Sequence, residues 1–130
     1  MKTISVKSRT RTEFIDITDE VKRVVAESSV KEGLCILYVP HTTAGITINE
    51  GADNSVRRDI LTAINKLIPF EGDYQHLEGN SAAHIKSTLT GVSLTLIIHE
   101  GKPVLGTWQS VYFCEYDGPR HRKVLVKIIG

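Results

Sequence analysis

Apolar and polar residues alternate from Ile4 to Val6, the period of two that marks a strand. Thr12 to Ile17 reads as a second strand. The period then changes. Ile17, Val21, Val24 and Val25 recur at helical spacing, behind a Thr18-Asp19-Glu20 start that supplies a cap and two acids at the positive helix end. Gly33 is expected to close that unit. Leu34 to Val39 has the continuous apolar character of a buried strand, and Pro40 interrupts it. Ile46 to Ile48 resumes strand character after the loop His41-Thr42-Thr43-Ala44-Gly45.

The spacing predicts its clearest helix from Asp53 or Asn54. Val56, Ile60, Leu61, Ile64, Leu67 and Ile68 form one face, with Arg57, Arg58, Asp59, Thr62, Asn65 and Lys66 on the other. Pro69 ends it. Phe70 to Gly79 reads as an irregular loop. Asn80 can cap a short helix that Gly91 ends, with Ala82, Ile85 and Leu89 as its core side. Three strand-like segments follow, Val92 to Ile98, Val104 to Tyr116 and Val124 to Ile129, joined by turns at 100–103 and 117–119. Hairpins outnumber strict βαβ alternation. The expected class is therefore α+β: a mixed, largely antiparallel sheet with about three helices in one domain over residues 1–130. On a regular pleat Val111 and Phe113 face one way and Trp108, Tyr112 and Cys114 the other, so both faces need covering. A second copy of the chain would do this, and a homo-oligomer is expected.

Composition narrows the class. The chain is 41% hydrophobic and 24% charged, which excludes disorder and collagen-like structure. A net charge of +1 argues against nucleic acid as a partner, since binding along a phosphate backbone needs a basic excess. No apolar run approaches the ~20 residues of a membrane helix. No signal-like stretch follows Met1, and a cytoplasmic location is expected. Cys35 and Cys114 sit in apolar strand sequence and read as buried small side chains.

The candidate chemistry gathers around histidines. His41 opens a loop of small and hydroxyl residues, His76 lies in the irregular loop, and His84 is on the helix after Asn80. Such imidazoles serve as metal ligands or proton carriers, although no His-Glu-x-x-His spacing is present. His99 and His121 read as surface or turn residues. Thr42 and Thr43 with their backbone N–H groups form a plausible anion cradle, and the helix start at Asn80 offers a second positive end. Arg120, His121, Arg122 and Lys123 make a basic cluster in which an arginine suits phosphate or carboxylate. Glu50 and Glu115 are acids beside apolar strand sequence, able to orient an imidazole, hold a divalent cation or act as a base; a salt bridge is the alternative for each.

Taken in order, His41-Thr42-Thr43-Ala44, Ile48-Asn49-Glu50, Tyr74-Gln75-His76, the Gly79 to Lys86 stretch, Gly106-Thr107-Trp108-Gln109 and the Cys114 to Arg120 stretch resemble the YjbQ-like family, also called the secondary thiamine-phosphate synthase family. The resemblance spans nearly the whole chain. It implies an α+β homotrimer with sites near subunit interfaces. It also implies weak thiamine-phosphate synthase activity, the joining of a pyrimidine pyrophosphate to a thiazole phosphate with release of pyrophosphate. That chemistry needs anion-binding groups, a divalent metal and exclusion of water. On this reading His41, His76, His84 and Glu50 are the catalytic candidates. Thr42, Thr43, Asn80, Trp108, Gln109, Glu115 and Arg120 are the substrate-binding candidates. The three histidines are candidate ligands for zinc or magnesium, with no organic cofactor. Many family members carry Asp-Asp-Met where this chain has Ser81, Ala82 and Ala83, so two potential magnesium-binding carboxylates are missing here. The alternative is a non-catalytic trimer that binds a metal or a phosphorylated metabolite and acts through a partner.

Overall fold

Strand pairing divides the β structure into two sheets, where the sequence pattern suggested one. The computed structural model describes residues 1–130. In chain order the elements are β1 (Lys2–Lys7), β2 (Glu13–Asp16), α1 (Thr18–Glu27), β3 (Glu32–Tyr38), β4 (Ala44–Glu50), α2 (Asn54–Leu67), α3 (Ser81–Thr90), β5 (Ser93–His99), β6 (Lys102–Pro103), β7 (Gln109–Glu115) and β8 (His121–Ile129). One sheet has the order β1-β8-β3-β5-β6 and the other β2-β7-β4. Every pairing is antiparallel. The class is α+β with three helices, and its sheets are antiparallel rather than mixed.

β7 explains the apolar run on two faces. It is the centre strand of its sheet, flanked by β2 and β4. Val111 and Phe113 enter a core shared by both sheets and α1, alongside Val21, Leu37 and Val126. Tyr112 and Cys114 enter a second cluster with Phe14, Ala83 and Tyr116, against which Ile60, Leu61 and Ile64 of α2 pack. The double burial is thus satisfied within one chain, each large apolar side chain contributing roughly 1.5–3 kcal/mol. Trp108 lies outside the strand and is exposed. The exposed apolar surface is elsewhere. On β3, Leu34 stands beside Ile97 of β5 and Ile129 of β8, and all three are exposed.

Four local expectations need correction. Gly33 is inside β3 and does not close the preceding unit, because the chain turns at Ser28–Ser29 instead, where Ser29 has a positive φ. The segment from Val104 to Tyr116 is not one strand: pairing begins only at Gln109, and Gly106 and Gln109 close a turn through their backbone bond. Thr18 does not cap α1; its hydroxyl donates to Asp16 Oδ1 and its Oγ1 accepts from the Val111 N–H, tying the helix start to β7. On α3 the buried residues are Ala82, Ala83, Lys86 and Ser87, while Ile85 and Leu89 are exposed. Small side chains let this helix lie close on β4, where the Ser87 hydroxyl donates to the Ala44 carbonyl at 2.6 Å. No helix is long and apolar enough to cross a membrane.

Candidate functional site

The loop between β3 and β4, the turn between β7 and β8, and the first turn of α3 meet at one corner of the two sheets. The register explains why. Ala44, at the start of β4, pairs with Glu115, at the end of β7, and β8 begins six residues after Glu115. His41, Thr42 and Thr43 therefore lie beside Asp117, Arg120 and Arg122. α3 brings Asn80 and His84 to the same place, and the preceding loop adds His76 and Glu78. These ten residues line a cavity of about 380 Å³ that has no hydrophobic residue in its wall. It adjoins a larger recess of about 620 Å³ that shares His41, Thr42 and His84 and continues to Tyr38 and Thr88.

Beneath the cavity floor lies a buried ion pair. Glu115, fully buried, accepts from Arg122 Nε at 2.9 Å and Nη2 at 2.5 Å. Its second set of donors is the Ser8 hydroxyl, at 2.6 Å, and the Asp117 N–H, at 3.1 Å. Burial alone would push the Glu115 carboxyl up, but Arg122, Ser8 and the Asp117 N–H outweigh it and hold the carboxyl below its ordinary value. Arg122 also donates to Thr43 Oγ1 at 2.8 Å, which leaves the Thr43 O–H free to donate. The alternation of β8 turns Arg122 inward with Val124 and Val126.

A second network lies at the rim. Asp117 accepts from Asn80 Nδ2 at 2.9 Å and from Arg120 Nη2 at 3.0 Å. Burial raises the Asp117 carboxyl, and the bonds from Asn80 and Arg120 more than offset it, so the net direction is down. Asn80 occupies the N-cap position of α3, but its side chain makes no cap bond because Asp117 holds its amide. Its Oδ1 is buried without a partner. The Ala83 N–H of the first turn of α3 donates to the Asn80 carbonyl at 3.1 Å.

The imidazoles differ in their bonding. His41 Nε2 accepts from the Lys123 N–H at 3.1 Å, which places the ring proton on Nδ1. Burial, then the positive charges of Arg122 and Lys123, draws His41 below its ordinary value. The neutral ring is thus a donor through Nδ1. His76 and His84 stand edge to face with centroids 5.4 Å apart, and His76 Nε2 lies 3.9 Å from Glu78. No three His, Cys, Asp or Glu side chains converge as a ready metal-ligand set. The donor chemistry suits zinc, but the arrangement does not fit a preformed three-histidine centre.

The structure therefore brings together His41, Thr42, Thr43, His76, Asn80, His84 and Arg120. Glu115 is adjacent but sealed behind Arg122 and is a support for the wall. Glu50, Trp108 and Gln109 are at the other end of the same strands: Glu50 pairs with Gln109, six residues along β4 from Ala44, or about 20 Å. There the Glu50 carboxylate accepts from the Ala52 N–H and Gln109 Oε1 from the Gly106 N–H. His99 and His121 are exposed. Sequence reasoning missed Arg122 and Asp117 as individual site residues. For Arg122 the signal was its place in the inward phase of β8, two residues before Val124.

A family model described as UPF0047 protein YjbQ-like matches residues 2–130. UPF0047 protein MJ1081 of Methanocaldococcus jannaschii is 56% identical over 125 residues, covering 96% of this chain and 91% of that protein. UPF0047 protein YugU of Bacillus subtilis is 47% identical over 131 residues, covering 100% and 99%. A crystal structure of an uncharacterised YjbQ/UPF0047 protein from Clostridium acetobutylicum superimposes with a TM-score of 0.97 at 56% identity, over 99% of this chain and 100% of that one.

Proposed function

The chain belongs to the YjbQ-like UPF0047 family, and on that footing we propose that the polar corner cavity binds a small phosphorylated substrate and catalyses a transfer reaction on it. One observation carries the reading: three imidazoles, two threonines and Arg120 line a single cavity without an apolar wall. Anion oxygens would be met by His41 Nδ1–H, the Thr42 and Thr43 hydroxyls and Arg120. His76 and His84, side by side, are the groups for moving a proton. Arg122 is not free for a ligand, because Glu115 already neutralises it. The specific reaction proposed is thiamine-phosphate synthesis, in which a pyrimidine pyrophosphate joins a thiazole phosphate and pyrophosphate leaves. A divalent ion, when bound with the substrate, would neutralise the leaving pyrophosphate.

The same reading includes a homotrimer. The neighbouring exposed side chains Leu34, Ile97 and Ile129 support it, since contiguous apolar surface marks an interaction site.

The test is to supply the intact protein with magnesium and both phosphorylated substrates, quantify thiamine phosphate, and measure pyrophosphate binding by calorimetry. Product formation lost in His84→Ala and Arg120→Ala supports the proposal. Pyrophosphate binding without product moves the assignment to a binding module that acts through a partner. Absence of both binding and product overturns the site.

A further inference from the structure

A second cavity, unrelated to the polar corner, lies between α2, α3 and β4. It measures about 260 Å³ and is lined mainly by Phe14, Ile60, Ile64, Leu67 and Leu89, with Lys86 in its wall. Lys86 is the unusual member. It is 2% exposed, yet no carboxylate lies within 4 Å of its ammonium. Its one bond is to Asn65 Oδ1 at 2.7 Å, and Asn65 is in turn held on Thr12 Oγ1. An ammonium has three donors, and burying its charge without an anion is costly.

We propose that this cavity binds a small amphipathic carboxylate, with the carboxylate on Lys86 and the apolar chain among the α2 and α3 side chains. Three features favour this occupant. The walls are apolar apart from a few polar groups, as in small-molecule sites. A single uncompensated cation matches a single negative charge. The volume suits on the order of eight or nine non-hydrogen atoms, at the ~30 Å³ that a water occupies. Burial first, then the positive charge of Arg11, draws the Lys86 amine below its ordinary value, the direction an arriving anion would reverse. The mouth is also open: Leu67 and Leu89 are 76% and 66% exposed, and no residue of α2 is fully buried despite its long apolar face.

The probe is sodium hexanoate, compared with 1-hexanol and hexylamine by calorimetry on the intact protein, with sedimentation run in parallel. Hexanoate is expected to bind at least tenfold more tightly than either control. Lys86→Met should bring hexanoate to the hexanol level. Leu89→Trp, a change at an exposed position, should block the mouth and weaken hexanoate at least tenfold. If Lys86→Met does not fold, a shift of the Lys86 methylene signals in the unaltered protein on adding hexanoate serves in its place. Equal binding of hexanoate and hexanol overturns the proposal. So does hexanoate binding that Leu89→Trp leaves unchanged, or a subunit assembly that Leu89→Trp breaks while hexanoate fails to bind.

Discussion

Glu115 at the end of β7 and Arg122 at the start of β8 form a two-point ion pair that joins the three-stranded sheet to the five-stranded one. The pair is buried, so removing one partner strands the other charge away from water. Glu115→Gln is expected to lower unfolding free energy by about 3–5 kcal/mol, measured by urea denaturation at pH 7. The pH dependence has a defined sign. The carboxyl is held below its ordinary value in the folded chain. Its stabilisation is therefore fully present above the unfolded carboxylate range, near pH 4.5, and is lost as pH falls through the lower folded value. Glu115→Gln should flatten that acid limb.

Ser8→Ala tests the same centre more gently. It removes the 2.6 Å hydroxyl bond to Glu115, and the expected cost is about 1.5–3 kcal/mol for a bond to a charged group. The acid limb should move to higher pH, because one group holding the carboxyl down is gone. A limb that does not move would detach Ser8 from the titration of Glu115.

His41 is expected to be neutral at pH 7 with its proton on Nδ1. Nitrogen-15 NMR of the imidazole should show that tautomer, and titration should place the group below the ordinary histidine value. Observation of the Nε2–H form would contradict the bond accepted from Lys123.

Gly45 stands on β4 where α3 ends. A Cβ there would lie 2.7 Å from the Gly91 carbonyl oxygen and 3.1 Å from the Thr90 side chain. Gly45→Ala should cost about 1–3 kcal/mol by overpacking and lower the melting temperature. An unchanged melting temperature would mean that α3 sits farther from β4.

Both thiols should be inert in the native protein. Burial pushes Cys35 up to about 11 and Cys114 further. An aromatic disulfide reagent at pH 8 is expected to react with neither until denaturant is added, and then with both. Rapid native labelling would show that one strand is more open than its burial indicates.

Local period carried much of the fold. The helix limits around Asp53 and Pro69 and the doubly apolar character of β7 were readable from spacing alone. The division into two sheets was not, because it depends on which distant strands pair: β8 inserts between β1 and β3, and β7 between β2 and β4. The face of α3 was misread for a related reason. Its register is set by how closely Ala82, Ala83 and Ser87 let the helix approach β4, whereas hydropathy favoured Leu89. At the site, histidines and hydroxyls stood out by type. Arg122 did not, since a basic cluster in sequence does not say which member turns inward. Glu50, Trp108 and Gln109 share motif character with the cavity residues, but strand length separates them from it.

The ion pair also fixes how the corner cavity must be studied. Its floor is a tie between sheets, so stiffness of the scaffold and occupancy of the site are one variable. A ligand seated on Thr43 presses on a bond that Arg122 also uses, and binding should slow amide exchange across the β7–β8 turn. Loss of activity in any variant of that floor is then informative only beside its melting temperature.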